Sequence, residues 1–128
     1  MKLAIHNWMR AEPLESTIAR IAKMGYTHLE IQGTPEDYDT IVVKSLLDKH
    51  GIQCWGSVTL MLEERNMLAK DKAQRQLSVQ YVLDLAKMVK ELGGSVISLV
   101  PATVGKIVPE ARPEEEWEWA VEGIKQVY

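Results

Sequence analysis

Four times along this chain a short, mostly apolar run of strand length alternates with a longer stretch whose apolar residues recur at helical spacing. No other feature constrains the fold as much. The boundary is clearest from Met24 to Gly33, where a helix stops at Gly25, a strand follows, and Glu30 sits near the strand's C-terminal end. Strands joined by such helices run parallel, because a parallel pair needs a long crossover. The fold class is therefore α/β, four βα units with parallel strands, in one domain spanning residues 1–128. Parallel sheets keep their binding sites at the strands' carboxyl ends, which places Glu30 toward a ligand. The other reading makes it a paired strand carboxylate, or one turned to a covering helix.

In chain order, strand one is read over Lys2 to Asn7 and exits through His6-Asn7-Trp8, polar and aromatic residues suited to a ligand mouth. Pro13 presets φ for helix one, in which Leu14, Ile18, Ile21 and Ala22 recur. His28 to Gln32 is strand two, followed by Gly33 to Asp37, a turn-rich stretch that neither element continues easily. Helix two starts at about Asp39, offers Ile41, Val42, Leu46 and Leu47 for packing, and stops at His50-Gly51. Strand three is Gln53 to Thr59, and the connection from Leu60 to Lys72 carries Glu63, Glu64, Arg65 and Asn66. Helix three, from Asp71 to Leu92, keeps the stripe Leu77, Tyr81, Leu85, Met88 and Leu92 until Gly93-Gly94. Val96 to Val100 is strand four, apolar enough to be covered on both faces. A loop from Pro101 to Lys106 follows, and Pro113 opens helix four, with Trp117, Ala120, Val121, Ile124 and Val127 on one side.

Composition removes several function classes. A net charge of -3 with interspersed signs leaves no basic stripe for nucleic acid or a membrane surface. The apolar runs fall far short of the roughly 20 residues of a membrane span, and no leader pattern opens the chain. A single cysteine, Cys54, excludes an internal disulfide and a zinc framework, and a cytoplasmic protein is the expectation.

Several pieces together resemble the sugar isomerase and epimerase group of xylose-isomerase-like TIM barrels. They are Lys2-Leu3-Ala4-Ile5, the strand-two pattern Gly25-Tyr26-Thr27-His28-Leu29-Glu30-Ile31, the Gly51-Ile52 entry to strand three, Asp71 with Arg75 before Ala86 and Leu92-Gly93, and Trp117. A complete barrel has eight βα units in about 250 residues. The resemblance therefore implies the N-terminal half of a (β/α)8 protein. It further implies a sugar or sugar-phosphate substrate and a divalent metal, manganese, magnesium or cobalt, whose ligands come from the second half. No metal ligand is assigned in this chain, and the half alone is expected to be inactive. Exposed strand edges in an isolated half invite pairing, for which a two-fold homodimer is one solution and an unclosed monomer the other.

For this half the expectation is substrate binding at the strand exits by His6, Trp8, Glu30, Gln32 and Ser57, with Asn7 and the Pro101 to Lys106 loop close by. Aromatic faces suit the apolar side of a sugar ring, and His, Gln and Ser supply directional hydrogen bonds. Trp8 keeps a core reading beside the pocket one. His28 and His50 are read as structural, Cys54 as a buried hydrophobe, Asp71 and Arg75 as an ion pair, and Glu114-Glu115-Glu116 as a solvated first turn. An inositol-type dehydratase fits the same half. A DNA-repair endonuclease fits less well, because Gln32-Gly33 and Gly56-Ser57 stand where that branch has histidines. The reading from a different class is a non-catalytic half-barrel that binds or assembles.

Overall fold

The computed structural model describes residues 3–62, 64–106 and 108–128. Lys2, expected to open strand one, and Glu63, expected in the connection after strand three, lie outside the described residues. The elements alternate as β1 (Ala4–His6), α1 (Leu14–Lys23), β2 (His28–Gly33), α2 (Thr40–Lys49), β3 (Gln53–Thr59), α3 (Lys72–Glu91), β4 (Val96–Ser98) and α4 (Pro113–Val127). A 3-10 turn over Pro35–Asp37 fills the turn-rich stretch after β2. The chain groups into two compact units, Met1–Thr59 with Leu85–Ser98 and Leu60–Asp84 with Leu99–Tyr128, so that α3 belongs in part to each.

The first unit holds one sheet in the order β1-β2-β3-β4, with every neighbouring pair parallel. The glycines that end α1, α2 and α3 (Gly25, Gly51 and Gly93) all have positive φ, near +65° to +83°, a conformation that only glycine adopts at little cost. Asp39 caps α2 by accepting from the Ile41 and Val42 amides. Ile18 and Ile21 of α1, Val43 and Leu47 of α2, and Leu29 and Ile31 of β2 are buried. Each such aliphatic side chain contributes about 1.5–3 kcal/mol by leaving water. On α2 this corrects the expected packing set, for Ile41 and Val42 are exposed. They stand on the first turn beside the cap, on the side facing away from Val43 and Leu47.

Strand four also differs from expectation. It spans only Val96–Ser98 and is half-buried to exposed, because it is an edge with a single partner rather than a strand covered on both faces. Backbone approach explains Gly56: a Cβ there would stand 2.0 Å from the Val96 carbonyl oxygen of β4.

In the second unit, the Tyr81 hydroxyl accepts from the Leu60 amide at 2.7 Å, and the Arg65 guanidinium lies 4.1 Å over the Tyr81 ring. Asn66 is buried, with its amide donating to the Ser78 hydroxyl. The inward side of α4 is Ala120 and Gly123, where a Cβ on Gly123 would meet Met67 Cε at 2.4 Å. The expected stripe is corrected here, since Trp117 is 72 % exposed while Trp119 takes the Arg75 guanidinium at 4.8 Å. Helical spacing was right, but small residues at the contact turned the helix about its axis. The α3 stripe is corrected in the same way at Leu77, which is exposed.

Asp71 and Arg75 do not pair with each other. Asp71 accepts from the Ala73 amide as a cap, and Arg75 donates to the Ala69 and Lys70 carbonyls. Glu115 accepts from the Arg112 amide and guanidinium, and Glu116 accepts from the Glu110 amide, so two carboxylates of the acidic first turn of α4 are engaged rather than merely solvated. Among the described residues no helix is long and apolar enough to cross a membrane.

Candidate functional site

Alternation along β2 divides its side chains between two faces. Leu29 and Ile31 are fully buried, whereas Glu30 and Gln32 are half-buried on the other side. In the β1–β2 register Glu30 stands opposite His6, so the two expected residues are brought together, His6 at the end of β1 and Glu30 in the middle of β2. Both line a cavity of about 330 Å³ with Ala4, Ile5, His28 and Trp55. Trp8 stacks on His6, with ring centroids 4.7 Å apart and planes inclined by 24°. At 43 % exposed, its indole is not a core residue.

Two polar groups of this face are unengaged. His6 Nδ1 is buried without a hydrogen-bond partner, and among the described residues the Glu30 carboxylate has none either. Among the described residues no lysine or arginine lines the cavity. The arrangement offers flat apolar rings for C–H faces, a carboxylate that accepts from hydroxyls, and an imidazole that can donate or accept.

Ser57 lies elsewhere. It is fully buried on the covered face, and its hydroxyl donates to the Ile31 carbonyl at 2.7 Å. The Pro101 to Lys106 loop belongs to the second unit, where Pro101 accepts from the Met67 amide and Thr103 donates to the Arg65 carbonyl at 2.8 Å.

Beside Ala4 and Ile5, two ring-bearing cavity residues were not among the expected site residues. His28 shares the parity of Glu30 and Gln32, which was legible from the two-residue period. Its Nδ1 also stands 2.7 Å from the Thr27 hydroxyl, in keeping with the structural reading. Trp55 reaches the cavity because the β2–β3 register slips between Leu29 and Glu30, pairing Cys54 with Leu29 and Gly56 with Glu30. Trp55 is the extra residue of a bulge, and no residue pattern announced it.

A larger cavity, about 530 Å³, opens at the strand starts between Gln53, Ser95 and the last turns of α2. Its Lys44 and Asp48 pair with each other. Cys54 also borders it, and burial pushes the thiol up to about 11, leaving it protonated and unreactive. His50 caps α2, but its Nε2 is buried without a partner, so the ring does not bond the helix carbonyls from that nitrogen.

A divalent metal does not fit the donors present. Among the described residues no three His, Cys, Asp or Glu side chains are grouped so as to hold one, and no chemistry is derived through a metal.

Residues 18–128 match the family described as Xylose isomerase-like TIM barrel. No curated protein sequence matches. Solved structures with a similar fold include D-psicose 3-epimerase with D-tagatose from Clostridium cellulolyticum H10, at 24 % identity and a TM-score of 0.79 over 99 % of this chain and 47 % of that one. D-allulose 3-epimerase from Methylomonas sp. follows at 20 % identity and a TM-score of 0.86, over 99 % of this chain and 46 % of that one. AP endonuclease, family 2, from Brucella melitensis has 16 % identity and a TM-score of 0.73, over 99 % of this chain and 50 % of that one. The chain spans about half the length of the solved structures it matches. At these identities the likeness is one of fold, four parallel βα units matching about half of a TIM barrel.

Proposed function

The chain belongs to the xylose isomerase-like TIM-barrel family, and from that premise we propose that it supplies substrate-binding strand exits to a sugar or sugar-phosphate isomerase or epimerase. The observation that carries this reading is the His6–Glu30 rung, capped by the stacked Trp8 and holding unengaged polar atoms on the cavity face. Gln32 lies on the same face, one turn of the pleat further out, and adds an amide for hydroxyls. Ser57 acts behind them, tying β3 to the β2 backbone.

Among the described residues no cation lines the cavity beside the Glu30 carboxylate, which suits a neutral polyol end of a sugar better than a phosphodiester and weighs against the endonuclease reading. Proton transfer at the substrate, and any manganese, magnesium or cobalt the reaction uses, are assigned to groups outside this chain. The β1 and β4 edges carry backbone groups without a sheet partner, and the proposal extends to a homodimer formed through them.

The test is calorimetric titration of the 128-residue chain with D-allulose, with and without manganese, alongside an epimerisation assay. Saturable binding weakened by His6→Ala, and no turnover, is the expected result. The absence of binding would favour a non-catalytic assembly module, and turnover by this chain would contradict the division of labour.

A further inference from the structure

β1 ends at His6, yet the β2 amide two residues beyond Glu30, the last β2 residue in register with β1, still has a partner. The Gln32 N–H donates to Asn7 Oδ1 at 2.7 Å. The side chain of Asn7 thus supplies one more rung to the β1–β2 ladder at the point where the β1 backbone turns away. A backbone N–H requires an acceptor, so the amide orientation follows from chemistry: oxygen faces Gln32 and nitrogen faces outward. That nitrogen donates to the Tyr38 hydroxyl at 3.0 Å, fastening the segment after the Pro35–Asp37 turn to the same point.

Asn7 stands between His6 and Trp8 in the chain, and their rings stack across it. Both its polar ends are engaged with protein, so it is not free to bind a sugar itself. We infer that Asn7 is the positioning residue of this mouth: its carboxamide fixes the β1 exit, and with it the His6–Trp8 stack, against Glu30 and Gln32. The role in binding rests on the sugar reading above, while the geometric role does not. Without the amide, the Gln32 N–H loses its partner and the turn at residues 7 and 8 loses its tie to β2. The stack then no longer has a fixed place relative to the Glu30 carboxylate. An aspartate at this position keeps an oxygen for Gln32 and can accept from the Tyr38 hydroxyl, so it preserves both links.

The experiment uses the full chain with Asn7→Ala and Asn7→Asp, read by amide hydrogen exchange at Gln32 and by the ring-current shift that the Trp8 indole imposes on the His6 ring protons. Asn7→Ala is expected to speed Gln32 exchange about tenfold, the equilibrium equivalent of one lost hydrogen bond, and to abolish the ring-current shift. Asn7→Asp is expected to keep both signatures, which also decides the matter if the alanine variant fails to fold. Unchanged exchange and shift in Asn7→Ala, or loss of both in a folded Asn7→Asp, overturns the inference. Titration with a ketohexose is the separate arm. A parent chain that binds none overturns the sugar reading and leaves the positioning role to be decided by the two signatures. A folded Asn7→Ala that loses the signatures yet binds as the parent does overturns the role of Asn7 in binding.

Discussion

The two faces of β2 and β3 are drawn from the same few residues, but they treat polar atoms in opposite ways. On the covered face the buried Ser57 hydroxyl donates to the Ile31 carbonyl, and the buried Thr59 hydroxyl reaches the Ser98 carbonyl at 3.5 Å. On the cavity face the Glu30 carboxylate and His6 Nδ1 have no such partners among the described residues. Leaving a buried polar atom unbonded costs about 1–3 kcal/mol. Under the sugar-binding proposal a ligand would complete the atoms of the cavity face, and the contrast would set one face for stability and the other for binding.

The largest expected effect lies on the covered face. Ile31→Ala should lower unfolding free energy by about 3 kcal/mol in urea titrations, whereas Glu30→Gln next to it should stay within about 0.5 kcal/mol of the parent. Equal losses at the two positions would erase the distinction. On the binding side the order reverses. Glu30→Gln should weaken ketohexose affinity about tenfold by calorimetry, as expected for a hydrogen bond to a charged acceptor, and Ile31 variants that remain folded should not.

Ser57→Ala sharpens the comparison further, because Ser57 was expected at the pocket and stands behind it. It should cost about 1 kcal/mol of stability and leave affinity unchanged; a binding defect without a stability defect would move it to the cavity face.

The smallest effect is alkaline. Burial holds the Cys54 thiol up to about 11 in the folded chain, above the roughly 8.5 of a free thiol. The unfolded chain therefore gives up its proton first as pH rises. Stability is intact below that lower value and should fall by about 1 kcal/mol between roughly pH 8 and pH 9.5, a slope that Cys54→Ala should remove.

Much of this was readable from residues alone. Gly25, Gly51 and Gly93 announced three helix ends, and β3 was read to its final residue, because a left-handed glycine and a two-residue period are local signals. That Glu30 and His6 come together was legible because residues near strand ends can be located once the strands are. What escaped depends on contacts distant in sequence. The bulge that swings Trp55 into the cavity is set by pairing between two strands. The turn of α4 that buries Gly123 and exposes Trp117 is set by Met67. Ser57 was misplaced for the same reason: the bulge at Trp55 breaks the alternation along β3, so Ser57 falls opposite Ile31 on the covered face although it shares the parity of Trp55.

The most direct test of a binding face opposed to a stability face is chemical-shift mapping of the chain titrated with an unphosphorylated ketohexose. The account predicts saturable shifts at His6, Trp8, Glu30, Gln32 and Trp55, with Leu29, Ile31 and Ser57 unmoved. Shifts centred on Ser57 and Ile31, or none at the His6–Glu30 rung, would contradict it.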